Sequence, residues 1–397
     1  MRFETTGIER YNNVDTLAMN LPIDNLAKLS DADFSELLGR SLLSPHLEST
    51  CTSFQRKSIV VTGAAGSIGS ELCSQLLRLD VATLICIDRD ETALFYLEQE
   101  LSLHYAHSRI HYYVEDIGGT ERIGALLREH QVDVLLHAAA YKHVPLMQRN
   151  PGAALKNNVF ALTRLLEAAE GSGVKTFLLI STDKAVNPSS VMGCTKRIGE
   201  LVLASRTNRD MRTLSVRFGN VLGSQGSVLP LFLQQLRNGE PLTVTHPEAG
   251  RFFMTIGEAA SLLLESVSVV TSTEIVVLDV GAPIRILDMA LKLRRMYGRG
   301  ESEVPTVFTG LRPGEKLQEE LFYDYEQRRP SGREHILIAD AERFPWINLE
   351  PLLRNLEDSV VTGSQQEMHR AMAAIVPEYQ FESLELLPTD KLLAPAE

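Results

Sequence analysis

One segment leaves this chain few folds to choose from. Ile59, Val60 and Val61 form a β-branched strand; Thr62 follows, and Gly63-x-x-Gly66-x-x-Gly69 then opens a helix carrying Glu71, Leu72, Leu76 and Leu77. Glycines at that spacing permit the tight turn and let backbone approach a pyrophosphate, whose charge is met by the helix's N-terminal amides. Gly63, Gly66, Ser67, Ile68 and Gly69 are therefore the candidate cofactor contacts. A glycine triplet alone is weak, and a plain turn beside a surface aspartate is the competing reading. Against it, a second strand over Thr83 to Ile87 ends in Asp88, about 20 residues on, where a carboxylate accepts from ribose hydroxyls. Asp88 would repel a 2′-phosphate and favours NAD, while its neighbour Arg89 leaves NADP open.

The pattern then repeats. Strands are predicted at Ile110 to Val114, ending near Asp116 and Ile117, and at Val132 to His137, which runs into Ala138, Ala139 and Ala140. Small residues there let backbone pass against a cofactor. Asn157, Asn158 and Val159 read as helical, and strands follow at Thr176 to Ile180 and Leu214 to Arg217. Alternating strands and helices give an α/β fold, a doubly wound parallel sheet with a smaller C-terminal substrate-binding lobe. The expected division is a helical arm over 1–56, a dinucleotide-binding domain with the reactive residues over 57–240, a substrate-binding and helical region over 241–385 interleaved with it, and a tail over 386–397. In the arm, Leu26, Leu29, Leu37, Leu38 and Leu42 with caps at Ser30 and Asp31 suggest short packing helices. From Leu278 onward the sheet is expected to give way to helices and turns, with Trp346 and Leu349 to Leu356 on a helix against the core.

The formal net charge of -12 argues against nucleic acid or an anionic membrane as partner. No run approaches the roughly 20 apolar residues of a membrane span, and the four cysteines show no metal-ligand or paired spacing, so a cytoplasmic protein with reduced thiols is expected. His137 and His143 lack partners at ligand spacing, and no metal is expected.

The reactive side chains collect at Ser181 to Lys196, STDKAVNPSSVMGCTK. A buried parallel strand offers polar chemistry only at its carboxyl end, and Thr182, Asp183 and Lys184 occupy that end. Met192 and Lys196, four apart, share a face of the next helix. Downstream, Phe218 to Ser227 is a glycine-punctuated loop of the kind that binds substrate. Arg251 and Arg312 offer forks suited to phosphate, although each taken singly reads more readily as a solvated surface arginine.

The motifs VVTGAAGSIGSEL, HAAAYKHVPLM, STDKAVNPSSVMGCTKR, SVRFGNVLGSQGSVLP, RFFMTI and LRPGEKLQEELF, in that order, resemble the CapD-like polysaccharide biosynthesis branch of the extended short-chain dehydrogenase/reductases. The resemblance runs from about Leu37 to Gln380. It implies a UDP-N-acetylglucosamine 4,6-dehydratase with bound NAD(P), which oxidises C4, loses water across C5 and C6 and returns hydride to C6, giving a C5-retained 4-keto-6-deoxy sugar for surface glycans. It also implies a homodimer or higher homo-oligomer, and a chain without the N-terminal membrane helices of larger relatives. By the same resemblance Asp183 is the acid for the C6 hydroxyl, Lys184 the C5 base and Lys196 the holder of the nicotinamide ribose. A lysine base needs a lowered pKa. Lys142, Asn220, Ser227 and Val228 fall to the nucleotide sugar, Arg251 and Arg312 to its diphosphate, and Glu315 to the uridine ribose. Met192 stands where the wider superfamily has a tyrosine; a thioether cannot transfer a proton, so Thr182, Asp183 or a water relay remains for the 4-hydroxyl. Alternatives are a C5-inverting dehydratase or epimerase, and a catalytically silent nucleotide-sugar binding module.

Overall fold

The structure, a computed structural model, describes residues 29–43, 47–105, 109–206, 210–340 and 344–381. Leu26 and the expected tail over 386–397 lie outside these residues. The main sheet is built from β1 (Ser58–Thr62), β2 (Thr83–Asp88), β3 (Ile110–Val114), β4 (Val134–His137), β5 (Thr176–Ile180), β6 (Arg212–Arg217), β7 (Glu274–Leu278), β8 (Arg328–Arg333) and β9 (Ile336–Ala339). Their spatial order is β8-β9-β7-β6-β5-β4-β1-β2-β3. β1 to β7 pair in parallel. The chain thus winds outward from β1 toward β3 and then, from β4, outward the other way. The switch point falls between β1 and β4, where an open α/β sheet collects ligands beyond its carboxyl edge.

Alternation within the strands explains the two main cores. Val60, Ile85, Leu135, Phe177 and Leu179 face one layer of helices. Ile59, Val61, Leu84, Leu136, Leu178 and Val216 face the other. Strands covered on both faces read as continuous apolar runs, as these do. Cys73 on the Ser67–Leu77 helix and Cys86 on β2 have no paired spacing in sequence, yet the fold sets their sulfurs 3.6 Å apart as free thiols.

A third core lies in the lobe. Leu229, Phe232, Leu242, Ile286, Met289 and Leu293 pack there with Leu37 and Leu38. The Asp31–Leu38 helix is started by a Ser30/Asp33 capping box and stopped by Gly39 in the left-handed region. Arg40 then pairs with Glu258 at 2.6 Å, so this part of the arm is a packing element of the lobe.

The expectation that the sheet ends near Leu278 is corrected by β8 and β9, which add to β7 as an antiparallel pair. β8 reads RRPSGR, with no apolar residue and a central proline. Such a strand is tolerated at a sheet edge, where one side has no ladder to satisfy and charge discourages further pairing.

Candidate active site

The glycine turn is packed against the protein's own backbone too tightly to carry side chains at Gly63 or Gly69. Gly63 has φ +67°, and a Cβ there would lie 2.6 Å from the backbone nitrogen of Ala139; a Cβ on Gly69 would lie 2.0 Å from the Gly63 carbonyl oxygen. The β1 turn, the start of its helix and the alanines after β4 therefore meet with no side chain between them. Asp88 Oδ2 accepts from the Ala65 backbone N–H at 3.0 Å, fixing the carboxylate against the turn. Arg89 donates to the Tyr141 hydroxyl and lies over its ring, 4.5 Å from the centroid. Asp116 Oδ1 accepts from Gly118 at 2.7 Å, and Ile117 is buried. Arg89, Asp116, Gly118, Tyr141, Asn157 and Phe160 line a cavity of about 450 Å³ at this end.

β5 ends at Ile180, and the chain turns through Asp183–Ala185 before the Val191–Ser205 helix. Ser190 caps that helix by accepting from Gly193 at 3.1 Å. Gly193 is a packing position that sequence reasoning passed over: a Cβ there would lie 2.1 Å from the Lys184 carbonyl oxygen. Only a glycine lets the helix back onto the reactive turn this closely. Met192 is buried among the apolar side chains of the first core. Lys196 reaches back along the helix to donate to the Ile180 carbonyl at 2.8 Å.

Burial lowers the Lys196 pKa to about 8, with Glu200 opposing. An unfolded lysine keeps its proton to about pH 10.4. Below pH 8 the folded protein therefore carries the full cost of the buried ammonium; as pH rises from about 8 to 10 the unfolded chain binds more protons and that cost is relieved. In urea unfolding, the protein is expected to gain stability relative to Lys196→Met across this window. A gap that stays constant would show that Lys196 keeps its proton in the fold.

Asp183 is fully buried. Its Oδ1 accepts from Lys184 Nζ and from Thr182 Oγ1, each at 2.9 Å, while its Oδ2 is buried with no hydrogen-bond partner. Lys184 Nζ also donates to Asn220 Oδ1 at 2.9 Å and stands 3.6 Å from Glu319 Oε1. Burial works to lower the Lys184 pKa, but Asp183 and Glu319 outweigh it and hold the lysine above its ordinary value. The lowered pKa that a lysine base needs is thus not met by this surrounding alone.

Arg251 is buried, unlike the solvated arginine its lone position suggested. Its Nη2 donates to Glu315 Oε1 at 2.9 Å, its Nη1 to the Gly250 and Leu317 carbonyls, and its Nε lies 3.7 Å from Glu319. Arg312 is exposed, and its backbone N–H donates to Glu315 Oε2. Loop 310–323 closes over the reactive turn: Ser189 Oγ donates to the Gly314 carbonyl, Lys316 Nζ to that of Val186 and the Tyr323 hydroxyl to that of Ala185. Lys142 contacts Ser224 Oγ at 3.4 Å, and Gln225 N–H donates to Ser67 Oγ at 3.1 Å, which joins the glycine turn to the 223–227 loop. The Ser227 hydroxyl is buried without a partner at the start of the Val228–Asn238 helix. Among the described residues no cluster of His, Cys, Asp or Glu is placed to hold a metal, and no helix is long and apolar enough to cross a membrane.

Residues 59–341 match a family described as polysaccharide biosynthesis protein. The chain belongs to that family. Within the polysaccharide biosynthesis proteins, it is 43% identical over 357 residues to the capsular polysaccharide biosynthesis protein CapD of Staphylococcus aureus, covering 88% of this chain and 59% of that protein. To the probable polysaccharide biosynthesis protein EpsC of Bacillus subtilis it is 39% identical, covering 83% and 55%. The chain thus spans less than two thirds of the length of these two relatives, and the CapD-like resemblance holds. Among solved structures, Pen from Bacillus thuringiensis superposes with a TM-score of 0.66 at 29% identity, covering 74% of this chain and 91% of that one. DesIV of Streptomyces venezuelae, a dTDP-glucose 4,6-dehydratase solved with NAD, shares the fold at a TM-score of 0.58 and 22% identity, covering 67% and 88%.

Proposed function

We propose that the chain dehydrates UDP-N-acetylglucosamine to a 4-keto-6-deoxy sugar with retention at C5. The observation that carries this reading is the Asp183–Lys184 pair at the carboxyl end of β5, where a buried carboxylate oxygen without a partner sits beside a lysine already bonded to its twin oxygen. A binding module has no need of such a pair. Gly63, Gly66, Gly69 and Asp88, with Ala138 to Ala140 after β4 and Lys196 on the helix after β5, fit a dinucleotide, because a turn without side chains leaves its backbone open to a pyrophosphate. Bound there, an NAD-type dinucleotide supplies the hydride acceptor and donor. Lys184 takes the C5 proton. The 4-hydroxyl proton passes to the Thr182 oxygen as Thr182 gives its own proton to Asp183, to which it is bonded, and Asp183 then delivers that proton to the departing C6 hydroxyl. Met192, buried and apolar, shapes the pocket and moves no proton. Arg251 carries the diphosphate with Arg312 at the rim. Glu315, Asn220, Ser227, Val228 and Lys142 surround the nucleotide sugar.

The test is proton NMR of UDP-N-acetylglucosamine incubated with the protein in deuterated water. A 6-methyl signal, a keto or hydrated C4 and deuterium at C5 are expected, with ring couplings of the retained configuration. Inverted couplings would assign the C5-inverting dehydratase. A product that keeps its C6 hydroxyl would assign an epimerase, and bound nucleotide with no product a silent module.

A further inference from the structure

Two carboxylates touch Lys184, and they are not alike. Asp183 holds the ammonium in a 2.9 Å hydrogen bond and accepts a second from Thr182 on the same oxygen. Glu319, buried in the lobe loop, is approached only at Oε1, 3.6 Å from Lys184 Nζ and 3.7 Å from Arg251 Nε, both beyond hydrogen-bond length. Its Oε2 is buried with no partner. A buried anion without short donors is the one that accepts a proton at least cost, because ionisation there is stabilised only by charges at a distance. The charged groups facing the pair are Asp183 and Arg251, with Lys316 on the Glu319 loop and Glu315 on the far side of Arg251.

We propose that Glu319 is a positioning residue that closes on Lys184 from 3.6 Å and takes its proton when Lys184 acts as base. The inference rests on Lys184 being the C5 base. In the step an N–H bond of the ammonium breaks and an O–H bond forms on the Glu319 carboxylate, so the pair passes from ammonium and carboxylate to neutral amine and neutral acid with no net change in charge. The amine then accepts the C5 proton. Burial raises the Glu319 pKa, with Lys184 opposing and Asp183 adding to the rise, which favours the acid form. A diphosphate drawn to Arg251 would further weaken the support of the Glu319 anion, since Arg251 is one of the three cations near it.

The proposal is tested on Glu319→Gln and Glu319→Asp with UDP-N-acetylglucosamine as substrate. Turnover of Glu319→Gln at neutral pH is expected to fall about 10²-fold and to recover as pH is raised toward that of free lysine, because its Lys184 must lose the proton to solvent. Glu319→Asp is expected to restore much of the neutral-pH rate. If Glu319 served only as a structural counter-charge, its loss would ease deprotonation of Lys184, and the rising limb would stay or move to lower pH; that result overturns the proposal. A second readout needs no turnover: acylation of Lys184 followed by mass spectrometry over graded pH. Labelling at neutral pH is expected to slow in Glu319→Gln, in step with turnover, because no carboxylate then takes the proton to free the amine; a rate that stays or rises, as loss of a mere counter-charge would give, also overturns the proposal. If the protein makes no 4-keto product, the dehydratase reading fails by itself while the neutral-pH labelling rates still decide whether Glu319 takes the lysine proton.

Discussion

Lys184→Ala is expected to lower formation of the 4-keto sugar by about 10²–10⁴-fold, the range for loss of a positioned acid or base, while UDP continues to bind. Lys184's three partners, Asp183, Asn220 and Glu319, all belong to the same polar pocket. Alanine leaves two carboxylates facing each other without their cation, so a stability loss could mimic a catalytic one. Lys184→Arg separates the two, because it keeps a positive charge and cannot give up its proton at any working pH. Arginine is expected to retain the fold and still be inactive. Quantifying product by NMR alongside calorimetric titration with UDP checks both variants, and ordinary turnover in either would remove Lys184 from the role of base.

Glu200→Gln is expected to cost about 3–5 kcal/mol, the penalty for stranding buried charge. Glu200 is buried behind the reactive turn and grips the buried Arg217 in two bonds, Nε to Oε1 at 2.8 Å and Nη2 to Oε2 at 2.7 Å. It also holds Arg197 at 3.2 Å and accepts from Ser181 Oγ at 2.6 Å. Burial alone would raise its pKa, but Arg217 and Arg197 reverse that and keep the carboxylate ionised. Glutamine removes one negative charge from a buried cluster of two guanidiniums, in which Arg217 also meets Glu326 at 2.8 Å. Urea unfolding should show a large fall in midpoint at similar slope. Adding Arg217→Met should recover part of the loss, since it removes the surplus positive charge; a single variant as stable as the parent would show that the cluster is neutral to folding.

Much of this molecule is legible in its sequence because the deciding signals are local. The glycine turn is dictated by backbone that no other residue could supply, and the continuous apolar runs of β1, β4 and β5 follow from being covered on both faces. Thr182, Asp183 and Lys184 can be placed at a strand's end without coordinates. What escapes is set by partners distant in the chain. β8 carries no apolar residue and becomes a strand only because β9 offers it a ladder. Gly193 looks like an ordinary helix residue until the turn bearing Lys184 packs on it. Glu319 lies inside a motif already conspicuous for Arg312 and Glu315, and nothing in its neighbours says that it meets Lys184. Arg251 reads as a surface cation until Glu315 and two carbonyls are folded around it.

The loop 310–323 that closes over Asp183–Ala185 also sets an order of events during synthesis. A ribosome has released the glycine turn, β5 and Lys184 well before it makes Glu319 and Tyr323, whose contacts pin the turn. The nascent chain can therefore form the glycine turn and the Asp183–Lys184 turn while the latter still lacks its cover. The contacts of Glu319 and Tyr323 with that turn are made only once the later stretch has emerged and docked.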